Sequence, residues 1–310
     1  MRTYPDCVPC GIRHALESVR MITDDERIHE GVLRETLRRA CSMDLRQSPP
    51  ATAQIIHRFI REVTNVKDPY LAVKDRYNKF ALEIYPDLKQ KIESSANPLE
   101  TAVRLAVAGN IIDFGVNSVV EQGDVEQTIT RSLTEPLDMG AFAAFEKAIE
   151  AATDILYLGD NAGEIVFDRM LIEQLPPEKV TFVVKGSPIL NDALMEDARM
   201  VGMTDVVEVV DNGSDAPGTI LESCSDEFRR RFDRADLIVA KGQGNFETLD
   251  DVDKNVFFML RPKCKVLAEH LGCEIGELIL RQSAAGTCRL GAKVERFKNF
   301  QDGTGKAVKQ

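Results

Sequence analysis

The sequence predicts an α/β protein with a Rossmann-like, doubly wound and mostly parallel sheet, preceded by an all-α N-terminal domain. Up to about residue 150, apolar residues recur at helical spacing between polar or proline-bearing breaks. Beyond it, short apolar runs alternate with longer amphipathic segments, the pattern of βαβ units. A chain of 310 residues is long enough for two domains, which we place at residues 1–150 and 151–310, the second ending in a C-terminal tail.

Helical spacing is clearest in two segments of the first half, and neither shows the alternation of a strand. Pro86 falls in the second segment and is predicted to kink or end that helix, because proline lacks an N–H and collides with the preceding turn. The apolar positions are Ile55, Ile56, Phe59, Ile60 and Val63 in one segment and Tyr77, Phe80, Ala81, Ile84 and Leu88 in the other.

Short apolar runs in the second half are the predicted strands. Right-handed crossovers bring the carboxyl ends of such strands to one edge of a sheet, where open α/β sheets bind their ligands. The runs are Ile155 to Leu158, Val180 to Val184, Val206 to Val210 and Leu237 to Ala240, with a fifth candidate from Val256 to Leu260.

Composition excludes several classes of protein. A net charge of −11 argues against a general nucleic-acid binder, which needs a basic surface. No run of 18 apolar residues occurs, so we expect no transmembrane helix. The N-terminus lacks the apolar core of a signal peptide, so we expect a cytoplasmic protein whose seven cysteines are mostly reduced.

Asp160 and Asn161 directly follow the first predicted strand and precede a helical segment. Either residue could simply cap that helix. Two adjacent oxygen donors before a helix N-terminus also suit a divalent metal and a phosphate. The other strand ends favour a site, because each carries polar residues that meet at the same edge. These are Lys185 to Pro188 with Asn191-Asp192, Asp211 to Gly213, and Lys241 to Glu247.

The residue types at this edge indicate the chemistry. Asp160, Asn161 and Asp192 offer only oxygen atoms, which suit Mg²⁺, Mn²⁺ or a similar ion. Lys241 and the backbone N–H groups of Gly242 and Gly244 can hold phosphate oxygens. The sequence contains no P-loop, dinucleotide fingerprint or GxSxG elbow, which argues against those three site classes.

Two motifs in the first half could also carry chemistry. Cys7, Cys10 and His14 supply three ligands of a zinc site, but the fourth is missing, and no βαβ unit is present for thioredoxin-like redox chemistry. We therefore favour a structural or incidental role. Asn110 and Asp113 would share one face of a helix, either as a cap and a solvated residue or pointing into a cleft between the domains.

Taken together, these motifs resemble the damage-control phosphatase family, formerly domain of unknown function 89, which includes acidic-residue methyltransferase-like proteins. The matching segments are Ala108 to Gly115, Gly159 to Glu164, Asn191-Asp192 and Lys241 to Glu247, and the N-terminal CxxC resembles the archaeal and bacterial subfamily.

The resemblance implies a helical N-terminal region and a Rossmann-like domain with a divalent metal held by Asp160, Asn161 and Asp192. It also implies that the phosphorylated substrate lies against Gln243, Gly244, Asn245, Phe246 and Glu247, and against Lys263. Relatives active on sugar phosphates carry RTxK, whereas this chain has Leu260-Arg261-Pro262-Lys263, which leaves the substrate open.

The leading hypothesis is a phosphatase dependent on Mn²⁺, Ni²⁺, Co²⁺ or Mg²⁺ that hydrolyses small phosphorylated metabolites, such as sugar phosphates or related phosphomonoesters, in metabolite damage control. Asp160, Asp192 and Lys241 would be catalytic, and either Asp192 or Glu164 would assist proton transfer. One alternative is methyl transfer to protein carboxylates, although no glycine-rich methyl-donor loop follows the first strand. Another is a non-enzymatic metal-binding protein that uses the CxxC. We expect no nucleic-acid or membrane partner.

Overall fold

The structure, a computed structural model, describes residues 1–109 and 122–288. The helices described before the first strand agree with the helical periodicity of this half. They are α1 (Cys7–Arg20), α2 (Glu26–Cys41), α3 (Pro49–Thr64), α4 (Leu71–Glu93), α5 (Pro98–Gly109), α6 (Gln122–Thr134) and α7 (Met139–Ala151).

Strands and helices then alternate, as the apolar runs predict. The elements are β1 (Ile155–Leu158), α8 (Glu164–Ile172), β2 (Val180–Val184), α9 (Met195–Met200), β3 (Glu208–Asp211), α10 (Asp226–Arg234), β4 (Leu237–Lys241), α11 (Gly242–Leu249), β5 (Val256–Leu260), α12 (Lys265–Leu271), β6 (Ile279–Gln282) and α13 (Ala284–Cys288).

Helix α4 continues past Pro86, so of the two predicted effects, a kink or a helix end, the helix end is wrong. The proline lies inside the helix, which continues to Glu93. Leu88 and Ile92, beyond the proline, are both buried in the hydrophobic core. Their burial offsets the hydrogen bond that the proline cannot make, so packing keeps the helix going where local propensity would end it.

Six strands form one sheet in the order β3-β2-β1-β4-β5-β6. The first five run parallel and β6 pairs antiparallel with β5, which confirms the predicted α/β class with a mostly parallel sheet. The predicted bounds of β1, β2 and β5 match the structure, whereas β3 begins two residues later than predicted and β4 ends one residue later. Strand β6 was not predicted.

The strand order places a crevice at the carboxyl ends of β1 and β4. The chain leaves β1 to form β2 and β3 on one side and crosses back to form β4 on the other. Such a reversal of strand order is where doubly wound sheets bind ligands. Leu158 pairs with Ala240 in register, so Asp160 and Gly242 emerge two residues later at the same level.

Both faces of the sheet are covered by apolar side chains. The larger cluster contains Ala106 and Phe145 from the helical half together with Tyr157 and Phe167 from the sheet half. The predicted boundary between residues 150 and 151 lies at the last residue of α7, and one apolar cluster contains side chains from both sides of it. A second cluster, with Phe246, covers the other face. No helix in the described ranges is long and apolar enough to cross a membrane.

Candidate active site

The backbone brings together the three residues predicted as metal ligands. Asn161 and Asp192 form an isolated antiparallel bridge outside the main sheet. The N–H of Ala193 donates to the carbonyl of Asp160 at 2.8 Å. The turn after β1 and the loop after β2 are thus hydrogen-bonded to each other, and Asp160, Asn161 and Asp192 lie side by side at the crevice.

The carboxamide of Asn161 has a defined orientation. Its Nδ2 donates to Asp160 Oδ2 at 3.0 Å and to Glu164 Oε2 at 3.2 Å. Carboxylates only accept hydrogen bonds, so both amide hydrogens are used and the carbonyl oxygen Oδ1 is left for the acceptor role. A hard divalent cation takes this type of oxygen as a ligand.

Negative charge accumulates around Asp160. Burial, followed by the charges of Glu164 and Asp192, raises the pKa of the Asp160 carboxyl well above its ordinary value. Lys263 and Lys185 act in the opposite direction. Two carboxylates and a carboxamide in a partly desolvated crevice match the oxygen ligands of Mg²⁺ or Mn²⁺, and a divalent ion would relieve the repulsion between them. The residues present therefore fit such a metal.

The structure corrects the role predicted for Lys241. Its side chain is fully buried, and Nζ donates to Ala106 O at 2.8 Å, Glu164 Oε1 at 2.7 Å and Asp168 Oδ1 at 2.5 Å. Three N–H groups thus meet three acceptors, none of them at the crevice. Burial lowers the pKa of Lys241, but the charges of Asp168 and Glu164 hold this pKa above its ordinary value. Lys241 is the counter-ion beneath the site and does not reach a phosphate in it.

The alternation of β4 explains where Lys241 points. Leu237 and Val239 belong to the cluster shared with the helical half, whereas Ile238 and Ala240 belong to the opposite one. Successive side chains of a strand point to opposite faces, so Lys241 follows Leu237 and Val239 toward α5 and α8. Because Leu237 to Ala240 are all apolar, the sequence alone does not tell which face of β4 meets α5 and α8.

Glu164 orients Asn161 and is not free to accept a proton from water. The residue is buried at 1% exposure. One of its oxygens accepts from Lys241 and the other from Asn161. Of the two carboxylates considered for proton transfer, Glu164 therefore has a positioning role, and Asp192 is the remaining candidate.

The N-terminus of α8 is closed, contrary to the interpretation that it holds a phosphate. The N–H of Gly163 donates to Asn78 Oδ1 of helix α4 at 2.7 Å, and Asn78 Nδ2 donates to Asp197 at 2.7 Å. The buried Glu164 adds negative charge in the first turn. Asn78 accepts a hydrogen bond from the start of this helix, and the carboxylate of Glu164 supplies negative charge there. Both features disfavour the binding of a further anion at the N-terminus of α8.

The N-terminus of α11 also lies at the crevice. Its N-cap residue, Lys241, makes no side-chain capping hydrogen bond. Gly242, the first helical residue, has φ +76°, a conformation that glycine adopts without strain. Backbone N–H groups and the positive end of the helix dipole favour negative charge at such a position. The phosphate position predicted at Gly242, Gln243 and Gly244 thus lies beside Asp160.

The remaining predicted contacts on α11 divide into inner and outer side chains. Asn245 is fully buried, where Nδ2 donates to Lys241 O at 2.8 Å and Oδ1 accepts from Thr219 at 2.7 Å. Phe246 packs in the second apolar cluster. These two side chains hold α11 in place, so any contact with substrate from this pair comes from the backbone.

Gln243 links α11 to the loop that carries Lys263. Its Nε2 donates to Glu247 Oε1 at 2.7 Å, and its Oε1 accepts from the N–H of Lys263 at 3.2 Å. Burial raises the pKa of Glu247 to about 7. Lys263 is exposed and its charge lowers the pKa of Asp160. The structure therefore places Lys263 at the mouth of the crevice, near Asp160.

Arg261, where this chain departs from RTxK, faces away from the crevice. Its guanidinium donates to Glu135 Oε2 at 2.7 Å and to Ser132 Oγ at 2.9 Å on the side of helix α6. The residue is buried at 3% exposure. Its role in this structure is to join β5 to the helical half.

Lys185 is a functional candidate for which the sequence analysis assigned no role. It follows β2 directly, is 4% exposed, and its Nζ lies 3.5 Å from Asp192 Oδ2. It also donates to the carbonyl of Gly218. Its position immediately after a buried strand was the feature of the sequence that could have identified Lys185 as a site residue.

The N-terminal cysteines do not complete a metal site in the described residues. Cys10 is exposed and Cys7 half-buried at the start of α1. The His14 ring meets that of His57 at 5.5 Å between centroids. Among the described residues, no three His, Cys, Asp or Glu side chains are grouped so as to hold a metal; the Asp160 site differs in using a carboxamide. Asn110 and Asp113 lie outside the described residues.

Comparison with known proteins identifies the family. The family model for the damage-control phosphatase ARMT1-like domain matches residues 3–279. A damage-control phosphatase of Archaeoglobus fulgidus is 34% identical over 290 residues, covering 91% of this chain and 99% of that protein. An uncharacterised protein of Methanocaldococcus jannaschii is 36% identical over 292 residues, covering 90% and 95%.

A damage-control phosphatase of Pyrococcus horikoshii is 31% identical over 284 residues, covering 90% of this chain and 97% of that protein. The crystal structure of a DUF89 family protein from the same organism aligns with a TM-score of 0.83 at 29% identity, covering 91% of this chain and 99% of that one. The family predicted from the sequence motifs is thereby confirmed. The chain belongs to the damage-control phosphatase ARMT1-like domain family.

Proposed function

We propose that the chain is a divalent-metal-dependent phosphatase that hydrolyses small phosphorylated metabolites. One observation carries the proposal: Asp160, Asn161 and Asp192 are gathered beside the N-terminus of α11. A metal site next to an anion site is the arrangement that phosphoryl transfer requires. Two relatives named as damage-control phosphatases, from Archaeoglobus fulgidus and Pyrococcus horikoshii, support the reaction class.

The metal would be held by the carboxylates of Asp160 and Asp192 and by Asn161 Oδ1. Mn²⁺, Ni²⁺, Co²⁺ and Mg²⁺ are the candidate ions, because all accept oxygen ligands. When bound, such an ion polarises the phosphoryl group and lowers the pKa of a coordinated water.

The chain itself binds and orients the phosphate. Backbone N–H groups at the start of α11, from Gly242 to Gly244, provide uncharged donors for phosphoryl oxygens. Lys263 adds positive charge at the mouth of the crevice. Lys241 contributes indirectly. It forms an ion pair with Glu164, and Glu164 accepts a hydrogen bond that orients the amide of Asn161. Asp192 is the carboxylate in a position to take a proton from the attacking water.

The substrate class is a phosphomonoester of a small metabolite, such as a sugar phosphate or related compound, in metabolite damage control. The departures from RTxK fall on Leu260, which is buried in the second apolar cluster, and on Arg261, which is directed away from the crevice. Lys263 is kept, so its proposed contact with phosphate does not depend on either departure. We place this activity in the cytoplasm, because half-buried and exposed cysteines remain unpaired in the described residues.

Phosphate release from a metabolite panel tests the proposal. We expect activity with one or more of the four ions, loss on chelation, and recovery when metal is restored. Asp160→Ala should lower kcat/KM by about a hundredfold or more, since it removes a ligand. The matched control is Asp211→Ala, a carboxylate at the end of β3 that bonds its own turn at Gly213 and should leave activity unchanged.

Activity that survives chelation, or that persists in Asp160→Ala, would rule out this function. Calorimetry with S-adenosylmethionine tests the methyl-transfer alternative. Tight binding of that donor by a chain without phosphatase activity would favour methyl transfer.

A further inference from the structure

We propose that Lys185, and not Lys241, is the buried cation that contacts the phosphoryl group of the substrate. The inference rests on the proposed phosphatase function and names a further residue of the same site. The inference follows from three observations: the contacts of the two lysines, the burial of Lys185, and the hydrogen bond from Lys185 to the loop that carries Gly218.

The backbone of Lys185 is fixed close to a proposed metal ligand. Its N–H donates to Ala193 O at 3.0 Å, directly after Asp192. The side chain is 4% exposed, so little water surrounds the ammonium. A positive charge in such a position interacts more strongly with a phosphate than one in bulk solvent does.

The two buried lysines differ in how many of their N–H groups are used. Lys241 donates to three acceptors within the protein. Within the part of the chain that the structure describes, the ammonium group of Lys185 donates one hydrogen bond, to Gly218 O. It also has one ion-pair contact, to Asp192 Oδ2 at 3.5 Å. Lys185 therefore retains donor capacity for an oxygen brought by a ligand, and Lys241 does not.

The acceptor of Lys185 connects it to the phosphate position. A Cβ on Gly218 would lie 2.1 Å from the carbonyl oxygen of Gly244, so the two backbones are in direct contact. Lys185 is thus held between Asp192 on one side and the first turn of α11 on the other. An anion bound at both Asp192's metal and the α11 N-terminus would lie beside this ammonium.

The rival interpretation is that Lys185 merely anchors the loop of residues 213–219 through Gly218. Lys185→Gln distinguishes the anchoring role from the phosphate-binding role, because glutamine keeps a donor for a carbonyl oxygen but has no charge. Lys179 provides a matched control. It lies before the other end of β2 and donates to a backbone carbonyl, Ala152 O, at 2.9 Å.

The experiment measures binding of inorganic phosphate by calorimetry in the presence of Mn²⁺, and binding of Mn²⁺ alone by electron paramagnetic resonance. We expect Lys185→Gln to weaken phosphate by about tenfold or more, as for loss of a charged hydrogen bond, while Mn²⁺ affinity stays within about threefold. Lys179→Gln should leave both unchanged. Weakening of phosphate by less than about fivefold in Lys185→Gln overturns the proposal.

A measurement on the unaltered chain decides the matter if Lys185→Gln does not fold. The ¹⁵N resonance of Lys185 Nζ, assigned by its loss in Lys185→Arg, should shift on addition of phosphate in the presence of Mg²⁺, a diamagnetic ion that leaves the resonance visible. An unshifted resonance at saturating phosphate overturns the proposal.

Failure of the phosphatase function gives a different result. A chain that binds phosphate through Lys185 but hydrolyses no metabolite refutes the function alone. A chain that hydrolyses metabolites equally well with Lys185→Gln refutes the lysine assignment alone.

Discussion

Asp160 Oδ2 occupies the space that a side chain at Gly242 would need. A Cβ at position 242 would stand 1.8 Å from this oxygen, and the backbone there has φ +76°. The first strand's carboxylate and the first residue of α11 are therefore in contact across the crevice, which places the proposed metal and phosphate positions side by side.

Gly242→Ala should abolish activity, because the added methyl group displaces the Asp160 carboxylate. We expect kcat/KM to fall by about a hundredfold or more, together with Mn²⁺ affinity. Gly272→Ala is the control for backbone strain alone: its φ is +71°, and nothing lies within 4 Å of its added Cβ. It should cost about 1 kcal/mol of stability and leave kcat/KM unchanged. Equal activity losses in the two variants would contradict the steric explanation.

Lys241→Met should destabilise the fold severely. It leaves the buried carboxylates of Glu164 and Asp168 without their cation, a change that costs about 3–5 kcal/mol. Urea unfolding measures the loss, and adding Glu164→Gln and Asp168→Asn should restore part of it, because no buried charge then remains unpaired. Lys79→Met, which breaks an exposed pair with Asp75, should change little. A free energy of unfolding within about 1 kcal/mol of the original would contradict this role.

Glu247 should make stability depend on pH. Burial raises its pKa from 4.5 to about 7 in the folded chain. Between these values the folded state retains a proton that the unfolded state loses, so the free energy of unfolding falls as pH rises from 4.5 to about 7. Glu247→Gln should flatten this slope by about 2–3 kcal/mol over the interval.

Urea unfolding across this pH range checks the Glu247 prediction. Glu269→Gln, an exposed carboxylate on α12, should leave the slope as it was. An unchanged slope in Glu247→Gln would show that another group titrates.

Asp215 should couple the helical half to the crevice. It accepts from Gln54 at 2.7 Å and from the guanidinium groups of Arg58 and Arg61, all on α3. Asp215→Ala removes these contacts from the loop that also carries Gly218. We expect KM to rise by about tenfold while the melting temperature falls by only a few degrees. Asp44→Ala, which breaks a local exposed pair with Arg46, should leave KM unchanged.

The sequence predicts those parts of the fold that depend on neighbouring residues. Strands β1, β2 and β5 are continuous apolar runs, and their bounds match the prediction. Strand β6 was missed because Ile279 and Leu280 are followed by Arg281 and Gln282, a mixture typical of an edge strand that buries only part of its length. Helix α4 does not end at Pro86, because Leu88 and Ile92 gain more from burial than the proline costs.

The sequence predicted which residues lie at the crevice when their position after a strand determines this. The prediction failed for residues whose place depends on the face of the strand to which the side chain points. Asp160, Asn161 and Asp192 come together as expected from their positions after β1 and β2. Lys241 also ends a strand, yet the pleat turns it into the core, whereas Lys185 remains at the crevice. No local pattern could have shown that Asn78 caps α8, since that contact depends on tertiary packing.

The contacts that build this site join distant parts of the chain. Asn78 and Gly163 are 85 residues apart, Ala106 and Lys241 are 135 apart, and Gln54 and Asp215 are 161 apart. Closing such large loops is entropically costly and slows folding. During synthesis, α8 emerges before β4, so Glu164 and Asp168 must await Lys241 before they can be buried with a counter-ion. A nascent chain that stalls before β4 therefore lacks the counter-ion for two acidic groups on a helix that is buried in the folded protein.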